Sequence, residues 1–135
     1  MPTLDDRMIA PAPPEEVWKI LYDPSRFPEW WDGMESVDTN ADKGDFTFFP
    51  DGYPDYPMPQ ELEASRSDGR VKVSCLVSDI YFEWRLEAID SENGTAISVH
   101  VEIPEEEAHR LDTQRGVMER SLKNLAELAL RSSYS

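Results

Sequence analysis

Apolar and polar residues alternate along much of the chain between positions 34 and 103, a pattern typical of strands with one buried face. In the clearest stretch, Phe82 and Trp84 share one face while Glu83 lies on the other. The pattern predicts strands at about 4–10, 35–39, 45–49, 58–66, 71–77, 82–88 and 97–103. Asp-Gly and Asn-Gly pairs predict hairpin turns between the later strands, which indicates an antiparallel meander.

Helical signals precede and follow most of these strands. Two prolines and two glutamates at 13–16 predict a helix start, because proline needs no N–H there and acids face the positive end of the helix dipole. Asp23-Pro24 predicts the end of that helix and the start of a second, very short one. A long amphipathic helix is predicted after Pro104. One face of it carries Leu111, Arg115, Met118, Leu122, Leu125 and Ala129.

The two short helices carry a family resemblance. Val17-Trp18 lies in the proline-led helix, and residues 23–30 read Asp-Pro-x-x-x-Pro-x-Trp. This arrangement resembles the opening of the START-related SRPBCC superfamily, which includes polyketide cyclases, lipid-transfer domains and birch-pollen-allergen-like proteins. The resemblance covers nearly the whole chain. It implies one α+β domain over residues 1–135 with the helix-grip fold: a curved antiparallel sheet of six to seven strands wrapped on a long C-terminal helix, with two short helices after the first strand.

The resemblance also implies a ligand cavity between the sheet and the long helix. Apolar walls with a few polar groups are typical of small-molecule sites. The residues expected to bind the ligand are Phe46, Phe48, Leu62, Val73, Phe82, Trp84, Val99, Arg115, Met118, Leu122 and Leu125, with Ala64, Cys75 and Val101 beside them. Ordinary core packing is the alternative for each apolar member of this set.

Arg115 is the main polar candidate. At the cavity mouth its guanidinium would bind a carboxylate or carbonyl group. The alternative is an arginine whose stem lies on apolar surface while its head stays in water. Arg66, at the end of a predicted strand, has the same two interpretations.

A proline-rich loop over 50–57 and the residue after it form a second candidate feature. Prolines stiffen such a loop, and tyrosines offer large amphipathic contact areas. Tyr53, Tyr56 and Met58 are therefore predicted to gate the cavity, and covering the sheet edge is the alternative.

Metal and nucleophile chemistry find little support in the sequence. His100 stands between two inward-facing valines and is predicted to point to the polar face, while His109 lies near a helix start. Two histidines this far apart do not match metal-ligand spacing, so we expect no metal. The glycines fall mostly at turns and form no phosphate-binding loop, and we expect no cofactor. Cys75 is predicted to be a small buried apolar residue.

The formal net charge of −15 narrows the expected partners. Nucleic acids and anionic membranes attract cationic surfaces, so neither is expected to bind. No apolar run is long enough to cross a bilayer, and Asp5 and Asp6 stand where a signal peptide would be basic and then apolar. The single cysteine excludes an internal disulfide. We expect a cytoplasmic monomer or homodimer whose acidic surface maintains solubility.

Three functions remain open at this point. The first is binding of a hydrophobic or amphipathic small molecule, lipid- or polyketide-like, in the cavity. The second is an enzyme of the polyketide cyclase or aromatase type, for which Arg115 would be the polar group. The third is a protein-interaction module, as in branches of the superfamily that activate a chaperone ATPase or contact a ribosome; this one requires a solid core.

Overall fold

The computed structural model describes residues 2–39, 46–50, 52–53, 55–76, 79–89 and 94–133. Two α-helices, two 3₁₀ helices and strands β1 to β7 make up this part of the chain. In chain order they are β1 Thr3–Ala10, α1 Pro14–Leu21, η1 Pro24–Glu29, β2 Met34–Asp38, β3 Phe46–Pro50, β4 Met58–Ser65, β5 Arg70–Cys75, β6 Tyr81–Ile89, β7 Gly94–Glu102, η2 Glu105–Arg110 and α2 Leu111–Ser133. The class is α+β, as predicted.

The seven strands form one curved antiparallel sheet in the order β1-β7-β6-β5-β4-β3-β2. Strands β2 to β7 follow one another as a meander, and β1 closes the far edge by pairing with β7 along its full length. Gly69 makes the tight turn between β4 and β5 with a φ of +61°. A Cβ at this position would lie 2.8 Å from the backbone oxygen of Leu86, so glycine is required there.

The predicted elements are confirmed, with differences at their ends. β7 begins at Gly94 rather than at 97 because Thr95 and Ala96 pair with β6 on one side and with β1 on the other. Arg66 lies in the turn after β4 instead of in the strand. Residues 45 and 77 at the ends of two predicted strands, residues 51 and 54 of the predicted loop, and residues 92–93 of one predicted turn lie outside the described residues.

The two short helices lie where the sequence predicts them. α1 carries Glu15 and Glu16 in its first turn and buries Val17 and two further aliphatic side chains. The Oδ1 atom of Asp23 accepts a hydrogen bond from the backbone N–H of Ser25 at 3.0 Å and thereby caps η1. Among the described residues, no helix is both long enough and apolar enough to span a membrane.

Aromatic side chains fill much of the interior on the helix-covered face of the sheet. This aromatic cluster consists of Phe27, Trp30, Trp31, Phe46, Phe82 and Trp84, and each member is at most 7% exposed. Neighbouring ring centroids are 5.0–5.5 Å apart, mostly in edge-to-face arrangements. Such pairs each contribute about 0.5–1.5 kcal/mol beyond the area they bury. The cluster therefore occupies space where the sequence predicted a cavity.

Candidate functional site

The turn between η1 and β2, residues 30–33, is tied to α2 by three hydrogen bonds. The backbone N–H of Asp32 donates to Oγ of Ser121 at 2.9 Å, and the Nδ2 group of Asn124 donates to the carbonyl of Trp30 at 3.2 Å. The Nε group of Arg120 donates to Oδ2 of Asp32 at 2.8 Å. These bonds fix Trp31, at the centre of the turn, against the interior.

A cavity of about 190 Å³ opens beside this turn. It lies between the first turns of α2, the 30–33 turn and the inner faces of β3, β4 and β6. Its described lining consists of Trp31, Asp32, Gly33, Met34, Phe48, Pro50, Met58, Gln60, Phe82, Gln114 and Val117. We call this cavity the end pocket.

The end pocket combines an apolar wall with a few polar groups. Gln60 is only 2% exposed although it is polar, and its Nε2 group donates to the carbonyl of Met58 at 3.1 Å. Gln114 is half-buried on α2, and the carboxylate of Asp32 is paired with Arg120. Glutamine amides donate and accept hydrogen bonds, so this arrangement suits an apolar ligand that carries a polar group.

The structure separates the predicted ligand-binding residues into two groups. Phe48 and Phe82, together with Met58 of the predicted gate, line the end pocket. The core contains Phe46, Val73, Trp84, Val99, Met118, Leu122 and Leu125, each at most 2% exposed. Leu62 is half-buried and packs against that core. Ligand contact stays a prediction for the whole set, and the second group would need the core to open.

Arg115 points away from the interior. It is exposed, whereas Gln114 next to it is half-buried and lines the end pocket. The reason is helix phase: Met118 is fully buried, and the residue four positions before it shares its face more closely than the residue three before it. Arg66 is likewise exposed, at the β4–β5 turn.

The tyrosines of the predicted gate are also exposed. Tyr53 is 66% exposed and Tyr56 is 54% exposed, and neither is among the described lining of the end pocket. A gating role for these two side chains stays a prediction.

Sequence reasoning missed the polar residues of the end pocket. Gln60 lies two residues before Leu62 on the same strand face, so strand alternation already indicated that it points inward. Gln114 was missed because the helical pattern assigned its neighbour, Arg115, to the inward face of α2. Trp31, which follows the second short helix, packs in the aromatic cluster and also forms part of the pocket wall.

Two indole groups in the aromatic cluster are unpaired. The Nε1 atoms of Trp30 and Trp84 are buried and have no hydrogen-bond partner among the described residues. Their rings meet edge to face at 5.1 Å and 90°. Aromatic faces accept weak N–H hydrogen bonds, so ring packing offsets part of the cost of burying these donors.

A larger hollow of about 650 Å³ lies on the opposite, outer face of the sheet. Charged side chains, including Asp5, Glu83, Arg85 and His100, line it. Its walls hold many exposed ionic groups that water solvates, so it suits an apolar ligand less well than the end pocket does. We therefore place the candidate site in the end pocket.

His100 lies on this outer face, as strand alternation predicted. Its Nδ1 atom is 2.7 Å from Oδ1 of Asp5 and its Nε2 atom is 3.0 Å from Oε2 of Glu102. The hydrogen bond with Asp5 is the main cause that raises the pKa of His100, against the opposing effect of burial. Nearby, burial and the carboxylate of Glu83 raise the pKa of Tyr81 to about 12.

No cluster of three or more histidine, cysteine, aspartate or glutamate side chains with metal-binding geometry occurs in the described part of the chain. Cys75 is buried as a free thiol, as predicted.

Comparisons with known proteins agree with this architecture. The solved structure of XoxI from Bacillus cereus superimposes with a TM-score of 0.79 at 17% identity, over 96% of both chains. The Zhui aromatase/cyclase from Streptomyces sp. R1128 gives 0.74 at 15% identity, over 96% of this chain and 94% of that one. The di-domain aromatase/cyclase BexL of the BE-7585A biosynthetic pathway gives 0.76 at 13% identity, over 94% of this chain and 46% of BexL. At such identities the likeness shows the fold alone.

No curated protein sequence matches the chain. A family model described as "Polyketide cyclase / dehydrase and lipid transport" matches residues 10–127, which is most of the sequence. The match spans α1, the 30–33 turn, all the strands after β1 and most of α2. The chain belongs to the polyketide cyclase/dehydrase and lipid transport family.

Proposed function

We propose that this protein binds a hydrophobic or amphipathic small molecule and that the end pocket holds it. The observation that carries the proposal is the pocket's lining: aromatic and thioether side chains surround a space that the buried amide of Gln60 and the half-buried amide of Gln114 also face. This is the composition expected of a small-molecule site. The family description, which includes lipid transport, supports the same conclusion.

The four tryptophan side chains provide a direct test. Trp31 lines the end pocket, whereas Trp18 stacks on Tyr22 at a ring distance of 5.6 Å on another part of the surface. In an NMR titration with a series of small apolar compounds, we expect the indole N–H signal of Trp31 to shift. The signal of Trp18 serves as the internal control and stays in place. Shifts confined to Trp18, or no shift at saturating concentration, would contradict the proposal.

A cyclase or aromatase activity is the second candidate function. Its support is the fold likeness to two aromatase/cyclases together with the family description. In this case Asp32, the carboxylate among the described lining, would be the group that handles a proton. The Asp32→Asn variant would then lose turnover of a polyketone substrate while it retains binding. Equal turnover by both proteins would remove Asp32 from the reaction.

An interaction module is the third candidate, and the packed aromatic cluster favours it because such a module needs a solid core. The end pocket distinguishes it from the first proposal. A protein that only presents a surface gains nothing from an apolar pocket with a buried amide, so ligand binding there argues for the first function.

A further inference from the structure

We infer that the end pocket selects a neutral ligand with a single aromatic ring and one hydrogen-bonding substituent. This inference rests on the proposed function and narrows its ligand class. Four properties of the pocket support it: its volume, its closed inner wall, the aromatic character of that wall and the uncharged amides that face it.

The volume sets an upper limit on the ligand. The end pocket holds about 190 Å³. An engineered apolar cavity of about 150 Å³ binds benzene, whereas sites for drug-sized ligands measure about 300–1,000 Å³. One ring with a small substituent therefore fits, and an extended lipid or a multi-ring compound leaves much of its surface outside.

The inner wall prevents the pocket from extending into the interior. Trp31 and Phe82 form that wall, with ring centroids 5.0 Å apart, and Trp84 packs behind Trp31 at 5.3 Å. Trp31 is 5% exposed, and its turn is fixed to α2 by the hydrogen bonds of Asp32 and Trp30. Close-packed rings of this kind do not yield without a change in rotamer or backbone.

The chemistry of the wall favours an aromatic ring. Trp31, Phe48 and Phe82 present faces and edges that pair with a ligand ring, and Met34 and Met58 add polarizable sulfur atoms. Aromatic pairs and sulfur–ring contacts are directional, so a flat ring gains more here than an aliphatic chain of similar size.

The polar groups favour a neutral substituent. Gln60 is held in place by its bond to the carbonyl of Met58, and Gln114 lines the same pocket from α2. The carboxylate of Asp32 is already paired with Arg120, 2.8 Å away. Amides satisfy hydrogen-bonding groups such as a hydroxyl or a primary amide, but they do not offset the desolvation of a full charge.

The test is isothermal titration of the unaltered full chain at neutral pH. The ligand series contains phenol, benzamide, toluene, benzoate, benzylamine and 2-naphthamide. We expect benzamide or phenol to bind about tenfold more tightly than benzoate, benzylamine and 2-naphthamide. Either of them should also bind about threefold to tenfold more tightly than toluene, because of the added hydrogen bond.

Matched variants of α2 localise the binding. Val117 and Leu128 are both half-buried against the core, but only Val117 is part of the described lining of the end pocket. Val117→Phe fills the pocket and should abolish benzamide binding, and Leu128→Phe should leave it unchanged. Gln60→Met keeps the volume and should remove the preference for benzamide over toluene.

Each outcome decides between the inference and the function on which it rests. Tighter binding of 2-naphthamide that Val117→Phe abolishes would overturn the one-ring limit and leave the proposed function standing. Tighter binding of benzoate or benzylamine would overturn neutrality in the same way. No binding by any compound at millimolar concentration, or binding that Val117→Phe leaves intact, would overturn both. The titrations on the unaltered protein decide size and charge even if a variant fails to fold.

Discussion

The two ends of the space beneath the helices are built from the same strands but are packed differently. At the inner end, Trp84 of β6 meets Trp30 edge to face, and both are at most 1% exposed. At the outer end, Phe82, two residues earlier on the same strand face, lines an open pocket with Met58 and Gln60. Strand alternation alone treats Phe82 and Trp84 as equivalent. The difference between core and candidate site depends on Trp31, which separates the two ends.

The largest expected effect distinguishes the two ends by stability. Trp84→Ala removes a fully buried ring from the inner end and should cost about 3–5 kcal/mol of unfolding free energy. The cost is high because the packed neighbours cannot fill the space that the ring leaves. Phe48→Ala, at the rim of the end pocket, should cost about 1–2 kcal/mol, because that ring is only half-buried. Guanidinium unfolding measures both. Equal costs would mean that the ends are packed alike.

The second prediction concerns a variant that lacks the aromatic wall between the two ends. Trp31→Ala should cost about 2–4 kcal/mol, because the ring is 5% exposed and contacts four other aromatic rings. The variant should also bind 2-naphthamide more tightly than the unaltered protein does, because the end pocket then extends toward Trp84. Calorimetry checks both effects. A variant that loses stability without accepting the larger ligand would show that Trp31 is not the barrier.

A smaller effect tests how the wall is held. Ser121→Ala removes the acceptor for the backbone N–H of Asp32 and should cost about 1–3 kcal/mol, because Ser121 is fully buried. Arg120→Ala removes an exposed ion pair with the same Asp32 and should cost at most about 1 kcal/mol. Urea unfolding of the two variants gives the ranking, and the reverse order would assign the anchoring of the turn to charge.

The smallest effect is on the outer face, away from both ends. The folded state raises the pKa of His100, chiefly through the hydrogen bond with Asp5. The stabilisation from protonated His100 is therefore fully present below the unfolded pKa of about 6.5 and is lost as the pH rises through the higher folded value. Unfolding of His100→Gln measured from pH 5 to pH 9 should show a flatter profile in this range. An unchanged profile would mean that these contacts do not affect stability.

The sequence predicts the fold well because its signals are local. Alternation along the strands, the prolines before α1 and the Asp23 cap each depend on residues close in sequence. The pocket is harder to predict because it depends on distant contacts. Whether Phe82 or Trp84 is in the core depends on Trp31, which comes from a turn some 50 residues away along the chain. The helical pattern likewise assigned Arg115 to the inward face of α2, whereas the neighbouring Gln114 lies there.

Xenon binding tests the central claim most directly, because xenon occupies apolar cavities without preference for polar groups. In a crystal of the unaltered protein pressurised with xenon, we predict a single strong site beside Trp31, Phe48 and Phe82 in the end pocket. A strong xenon site between Trp30 and Trp84 instead would contradict the account, because it would show that the interior is open and that the pocket is not closed by its aromatic wall.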